Sequence, residues 1–166
     1  KLRENVIYTK GDEQIKTNNL DYYLNEKKGY FFNNGELKDN VNILSSEFGI
    51  FYGNNDLSIF YSGVILVGEN YTLESDSMTY NTILREATTF GYTEIISEDS
   101  THIKSLGGTF RQESNNSNLK SSKIETSNYI LEADYINFDE ENSVYYAKNN
   151  VILNIKETNY FVYGDE

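Results

Sequence analysis

Residues 73–81 read LESDSMTYN, and residues 131–139 read LEADYINFD. Both stretches follow the pattern Leu-Glu-small-Asp-x-apolar-x-aromatic-Asn/Asp, in which apolar and polar side chains largely alternate. Alternation with a period of two is typical of a β-strand that buries one face and exposes the other. The two stretches therefore predict a half-buried strand that is used more than once in this chain.

Further copies of this strand are recognisable along the chain. Counting the two quoted stretches, copies begin at residues 15, 51, 73, 103, 131 and 162, with a β-bulge expected in the copy at 51. The copy at 103 departs from the pattern, because Leu106 and Gly108 replace the Asp and the next apolar residue. An opening strand of Asn or Gly followed by Val precedes several copies, at residues 5–6, 40–41, 63–64 and 150–151. One such copy cannot cover its own apolar face, so stacked neighbours are expected to share a core.

Turn residues separate the predicted strands. The hairpin corners are expected at Asn33-Asn34-Gly35, Gly53-Asn54-Asn55, Asn115-Asn116 and Asn149-Asn150, since Asn and Gly tolerate positive φ. Gly107-Gly108 is expected to mark a bend or bulge within a strand. No segment has a convincing helical period with caps. The predicted fold class is all-β, in a single domain over residues 1–166 that is continued or truncated at its C-terminal end.

Composition excludes several classes of function. The chain has 166 residues, with 14 Lys and Arg against 26 Asp and Glu, no Cys, Pro or Trp, and 15 Tyr and 9 Phe. Without Cys there is no disulfide framework, cysteine-based zinc site or thiol nucleophile. A formal charge of −12 argues against a nucleic-acid partner, whose phosphates need a basic surface. The many aromatic and β-branched residues favour strands.

No catalytic or metal site is predicted. The residues at the Asp position of the repeat are expected to be turn formers that bond to nearby backbone N–H groups; they are Asn18, Asn54, Asp76, Asp134 and Asp165. His102 is the single histidine and has no nucleophile motif beside it, so it is expected to be a surface residue. No calcium-loop sequence occurs, and no cofactor is expected.

The repeated strands resemble the OstA-like (LptA-type) family of lipopolysaccharide transport proteins. The resemblance rests on the Asn/Gly-Val opening strand, the Leu-x-small-Asp strand nine residues later, and a step near thirty residues. It implies an open, twisted, V-shaped β-jellyroll of stacked antiparallel strands. It also implies a non-enzymatic periplasmic carrier or bridge, free or attached to the inner or outer membrane through a partner or a further segment. The repeat does not distinguish LptA from the LptC periplasmic domain or the LptD N-terminal domain.

The resemblance implies an apolar groove that holds acyl chains, with lipopolysaccharide as the partner. Alternating strands put apolar residues on one face, and splayed sheets would let a lipid chain replace part of the core at about 0.8 kcal/mol per buried methylene. The candidate lining residues are Val6, Tyr8, Ile15, Leu20, Val41, Ile43, Ile50, Val64, Leu66, Leu73, Met78, Leu131, Ile136, Val151 and Leu153. Each could instead be an ordinary core side chain.

The first and last strands are expected to be unprotected edges. Neither the strand near Val6 nor the one near Val162 contains Pro, so pairing with other Lpt proteins or with copies of this chain is expected. An alternative interpretation is a β-solenoid or sandwich that serves as an adhesin or carbohydrate-binding module at the cell surface. That alternative predicts a dry core and an exposed aromatic or carboxylate platform.

Overall fold

The computed structural model describes residues 1–111, 116–139 and 144–165. It contains the strands β1 (Leu2–Lys10), β2 (Glu13–Tyr23), β3 (Lys28–Lys38), β4 (Ile43–Tyr52), β5 (Leu57–Val67), β6 (Tyr71–Asn81), β7 (Glu86–Ser97), β8 (His102–Arg111), β9 (Asn116–Glu125), β10 (Tyr129–Asp139), β11 (Val144–Lys148), β12 (Val151–Ile155) and β13 (Tyr160–Gly164). Within the described ranges there is no helix, and so none that is long and apolar enough to cross a membrane. The all-β prediction is confirmed.

The strands form one antiparallel sheet in chain order. Each strand from β1 to β10 pairs with the next, as the short turns between them require. β11 and β12 both pair with the far edge of β10, at residues 135–139 and 129–132 respectively, so together they fill the place of one strand. β13 then pairs with β12. The sheet does not close on itself, which agrees with the open architecture that was expected.

Most strands are interrupted near their midpoint by a bulge. The pairing register shifts between Arg3 and Val6 in β1, between Phe32 and Gly35 in β3, and at matching places in β2 and in β4 to β7. Residues with positive φ recur along the line of the bend at steps of 29 residues or twice 29. Among them are Asn5, Asn34, Gly63, Ser121 and Asn150. A bulge bends its strand, so bulges aligned across the sheet bend the whole sheet along one line.

The bend divides the sheet into two arms that face each other. The first arm carries the turns at residues 11–12, 39–42, 68–70 and 98–101, and the second arm carries the turns at 24–27, 53–56 and 82–85. Side chains of the two arms meet: the rings of Tyr8 and Phe51, from opposite arms, lie 4.6 Å apart. A single bent sheet thus encloses an interior between its own halves.

Two predicted hairpin corners are instead parts of this bend. Asn33-Asn34-Gly35 lies in the middle of β3, and Asn149-Asn150 separates β11 from β12 along the same edge of β10. The residue types were interpreted correctly as positive-φ sites, but a bulge uses that conformation as readily as a turn does. Gly53-Asn54-Asn55 does lie in a turn, Asn116 begins β9, and Asn115 lies outside the described residues.

The second copy of the repeated strand begins at a different residue from the one predicted. Cross-strand pairing places Leu44, not Phe51, in line with Leu73, and the equivalent residues of the even-numbered strands β2 to β10 follow at steps of 28 to 30; they are Ile15, Leu44, Leu73, Ile103 and Leu131. Glu47 and Gly49 stand in the Asp and apolar positions of this copy. Asn40-Val41 correspondingly lies in the turn before β4 and is not an opening strand.

The left-handed conformation at the bend gives a first testable prediction. Gly63 has φ +62 and has no atom within 4 Å of the place a Cβ would occupy, so a substitution there acts through the backbone alone. We expect Gly63→Val to lower the free energy of unfolding by about 1–2 kcal/mol, because β-branched residues disfavour positive φ. Urea unfolding followed by circular dichroism measures this loss.

Gly63→Asn is the matched control, since Asn occupies the equivalent place at positions 5, 34 and 150. We expect it to stay within about 0.5 kcal/mol of the parent chain. Equal losses for Val and Asn would show that the site does not depend on its left-handed conformation.

Candidate functional site

The interior of the first arm is lined by one row of apolar side chains that crosses the sheet. The row runs through directly paired residues, one from each strand except β11: Tyr8, Ile15, Leu37, Leu44, Leu66, Leu73, Ile95, Ile103, Ile124, Leu131, Leu153 and Val162. We call it the first-arm row. Residues directly opposite each other on one sheet face are in packing contact, so the row forms a continuous apolar strip.

The second arm presents a facing row that begins at Leu20 and ends at Ala147. Its members are Leu20, Phe31, Gly49, Phe60, Met78, Thr89, Gly108, Leu119, Ile136 and Ala147. From β2 to β7 the two rows pack into one buried cluster, in which Leu73 and Met78 are fully buried. In this part the interior is therefore filled with protein side chains.

A buried polar cluster joins the tips of the two arms over this filled part. The Tyr80 hydroxyl, at the end of β6, donates to Asp39 Oδ2 at 2.7 Å, and Asn42 Nδ2 donates to the Tyr80 hydroxyl at 2.7 Å. The other oxygen of Asp39 accepts from the backbone N–H groups of Val41 and Asn42. We call Asp39, Asn42 and Tyr80 the clasp. Burial, reinforced by the bond to Asp39, raises the pKa of Tyr80, and burial also raises the pKa of the neighbouring Tyr71 to about 12.

Two further contacts reinforce the closure beside the clasp. Lys10, at the end of β1, forms an ion pair with Asp56 at 2.9 Å. Glu13 accepts a hydrogen bond from the Thr82 hydroxyl. Each contact joins a first-arm tip to a second-arm turn, so the mouth between the arms is bridged along the first six strands.

The interior opens toward the last strands. A second, smaller buried cluster consists of Leu119, Ile124, Leu131, Ala133 and Ile136. Around it the row members Ile103 and Leu153 are only half-buried, and Val162 at the end of the first-arm row is 54% exposed. Tyr129 and Tyr145 supply an aromatic contact between the arms here, with ring centroids 6.2 Å apart. We call the region formed by Ile103, Tyr129, Val151, Leu153 and Val162 the open end.

The structure separates the fifteen predicted lining residues into three groups. Eight are buried in the interior: Ile15, Leu20, Val64, Leu66, Leu73, Met78, Leu131 and Ile136. Five are half-buried: Val6 and Tyr8 beside the first cluster, Val151 and Leu153 beside the second, and Val41 in the turn before β4. Ile43 and Ile50 are a correction, because both lie on the outer face of β4 while their neighbours Leu44 and Phe51 face inward.

Several interior residues were not predicted, among them Phe31, Leu37, Phe60, Ile95 and Ile124. Most of them belong to odd-numbered strands. The signal that identifies Leu37, Ile95 and Ile124 is the constant step of the first-arm row. Tyr8, Leu37, Leu66, Ile95 and Ile124 of the odd-numbered strands, and Leu153 of β12, are 29 residues apart. In the strands that carry a bulge, the extra residue shifts the alternation near the middle of the strand. A search for simple alternation therefore misses interior residues of those strands.

The acidic repeat position caps the bend. Asp76 Oδ2 accepts from the backbone N–H of Tyr92 at 2.9 Å, and Asn18 Oδ1 accepts from that of Asn5 at 3.3 Å. Asp134 accepts from the Asn150 side chain at 2.8 Å. The bonds of Asp76 and Asn18 satisfy backbone N–H groups that the bulge removes from the sheet ladder. Bonding to backbone N–H groups was predicted for them, but the predicted turns were wrong, because Asn18, Asp76 and Asp134 lie inside β2, β6 and β10. Asn54 lies in a turn, and the backbone carbonyl of Asp165 accepts from Asn149.

The polar side chains outside the bend include His102, the single histidine of the chain. Over the described ranges, no group of three or more His, Asp or Glu side chains is placed to hold a metal ion. His102 lies on the outer face, hydrogen-bonded to Glu94, and Lys104 is 3.5 Å from the same carboxylate. The bond from His102 lowers the pKa of Glu94.

Comparison with known proteins gives a match to a family model and matches to solved structures. Residues 1–76 match the model of the OstA-like protein family. No curated protein sequence matches the chain. The fold is similar to the crystal structure of LptH from Pseudomonas aeruginosa, described as the LptA homologous periplasmic component of the lipopolysaccharide transport device. The TM-score is 0.58 at 12% identity, over 65% of this chain and 82% of that one.

The two comparisons agree with the interpretation of the repeat. At 12% identity the structural likeness shows the fold, and the family match covers the first three repeated strand pairs, which include the clasp residues Asp39 and Asn42. This chain is therefore OstA-like in sequence over residues 1–76, and it has the LptA-type fold.

Proposed function

We propose that this chain is a non-enzymatic periplasmic module of lipopolysaccharide transport, which holds acyl chains between its arms at the open end. The observation that carries the proposal is the first-arm row. It remains apolar from β1 to β13, while its burial falls from complete at Leu73 to partial at Leu153 and 54% exposure at Val162. An apolar strip that the described residues leave partly uncovered favours an apolar ligand.

The energetics suit a carrier. Apolar burial has no directional requirement and contributes about 0.8 kcal/mol per methylene. An acyl chain could therefore bind along the strip at several positions, with similar free energies. Directional hydrogen bonds, which would fix one position, are few at the open end because its interior side chains are Ile103, Val151, Leu153 and Val162 together with tyrosine rings. The OstA-like match and the LptA-type fold support lipopolysaccharide as the source of the acyl chains.

The interior and outer faces of the sheet can be compared on one strand, β12. Leu153 faces the interior, whereas its neighbour Ile152 pairs on the outer face of β12. We expect Leu153→Asp to reduce binding of purified lipopolysaccharide by tenfold or more, since a charge placed in an apolar site carries a large desolvation cost. Equilibrium binding of fluorescently labelled lipopolysaccharide to the purified chain measures the change.

Ile152→Asp is the matched control, and we expect it to change the affinity by less than about twofold. Circular dichroism of both variants checks that the sheet is retained. An equal loss in both variants, or retention of full affinity by Leu153→Asp, would contradict the proposed location of the acyl chains.

A further inference from the structure

A cleft of about 330 Å³ lies on the outer face of the sheet, between β7 and β11. Phe90, Leu106, Tyr135 and Tyr146 line it, and the three rings are 52–56% exposed. The neighbours of these residues, such as Thr89 and Ile136, face the interior. The cleft is thus on the opposite side of the sheet from the acyl-chain site proposed above.

Gly107 leaves a gap beside Phe90 in a row of outer side chains. In the earlier strands this row runs through Phe32, Phe48, Tyr61 and Ser77, and the rings of Phe48 and Tyr61 stack with centroids 6.3 Å apart. Gly107 pairs with Phe90, has φ +108, and leaves no room for a Cβ, which would lie 2.8 Å from the carbonyl oxygen of Thr89. The row therefore has a gap that exposes the ring of Phe90 on one side.

Hydroxyl and amide groups cross the cleft beside these rings. The Thr88 and Thr109 hydroxyls lie 3.3 Å apart, and Asn137 donates to the Asn118 side chain at 3.0 Å. The four side chains form one outer row over β7 to β10. Groups that both donate and accept, placed next to exposed rings, match the chemistry of a sugar, which has hydroxyls on its edge and C–H groups on its faces.

Lysines line the cleft of this acidic chain. Although Asp and Glu outnumber Lys and Arg by 26 to 14, the described residues that line the cleft include Lys120 and Lys148 and no carboxylate. Both lysines pair with Tyr135 across the neighbouring strands, and Lys148 already has an interaction of its own. The Lys120 ammonium group therefore favours an anionic ligand at this place.

We propose that this cleft binds an anionic saccharide, with a sugar ring against Tyr135 and Tyr146 and its phosphate or carboxylate group near Lys120. A polypeptide that adds a strand is disfavoured, because the cleft lies in the middle of the sheet, where the backbones of β8, β9 and β10 are already paired on both sides. A purely apolar ligand would cover the Thr and Asn groups without bonding to the donors and acceptors that they do not use among themselves.

The test uses saccharides that lack acyl chains, so that its result does not depend on the interior. The probes are lipopolysaccharide deacylated to its phosphorylated saccharide, oligogalacturonate as a carboxylated saccharide, and maltohexaose as a neutral one. Binding to the isotope-labelled chain is followed by amide chemical shifts. We expect one or both anionic probes to shift amides of β7 to β11 and to bind more tightly than maltohexaose. The stronger anionic probe identifies the source of the ligand.

Substitutions of three residues that line the cleft test whether the saccharide binds there. Tyr135→Ala, Tyr146→Ala and Lys120→Glu are each expected to weaken the anionic probe about fivefold or more. Tyr23→Ala is the matched control, because Tyr23 is an outer-face tyrosine of similar exposure on β2. The proposal is overturned if neither anionic probe binds at millimolar concentration, if maltohexaose binds equally well, or if the three cleft variants bind like the control.

Discussion

Leu73→Ala is expected to lower the free energy of unfolding by about 3–5 kcal/mol, whereas Leu153→Ala is expected to cost about 1 kcal/mol or less. Removing a fully enclosed leucine side chain costs its transfer free energy and leaves a cavity. Leu73 is fully buried in the centre of the first-arm row, while Leu153 is half-buried at the open end of the same row. Urea unfolding of both variants, with a common slope, measures the difference.

This comparison tests whether the interior changes from filled to open along one row. Both substitutions remove the same atoms from members of the same row, so side-chain chemistry is held constant. Similar losses of unfolding free energy in the two variants would mean that the open end is packed as tightly as the centre. Such packing would leave no room at the open end for an acyl chain.

Tyr80→Phe is expected to lower the free energy of unfolding by about 2–3 kcal/mol. The substitution removes the hydroxyl that donates to Asp39 Oδ2 and accepts from Asn42 Nδ2. Two buried hydrogen bonds are lost, and the desolvation of the groups that made them is no longer compensated there. Asn42 and Tyr80 are each only 1% exposed. Tyr135→Phe, at a largely exposed ring, is the control and is expected to change the free energy by less than about 0.5 kcal/mol.

The clasp also predicts where the arms separate first. We expect Tyr80→Phe to speed amide hydrogen exchange in the tips at residues 39–42 and 80–82 more than in the bend near Gly63. Uniformly faster exchange would show that the clasp contributes to global stability without holding the arm tips together.

The sequence predicts the strands and the first-arm row well where alternation is intact. Leu73 and Leu131 were identified because their copies of the repeat keep the full pattern, and the structure places both in the interior. The fold class followed from the same alternation and from the turn residues. The departure at Leu106 and Gly108 was also visible in the sequence, and it marks the strand that carries the outer cleft.

The prediction of hairpin corners failed because positive φ occurs in bulges as well as in turns. Asn34 and Asn150 were interpreted as hairpin corners, because positive φ is common in turns, but here it makes the bulge that bends the sheet. The second repeat copy was misplaced because Glu47 and Gly49 stand in for Asp and an apolar residue, and this error put Ile43 and Ile50 on the wrong face. The clasp joins residues about forty positions apart and has no local signal.

The most direct test of the account is photocrosslinking on β12 in cells that assemble lipopolysaccharide. A photoreactive amino acid at Val151 or Leu153, on the interior face, is expected to capture lipopolysaccharide, while the same residue at Ile152 on the outer face is expected to capture little. Capture that is equal at all three positions, or strongest at Ile152, would contradict the claim that acyl chains lie between the two arms.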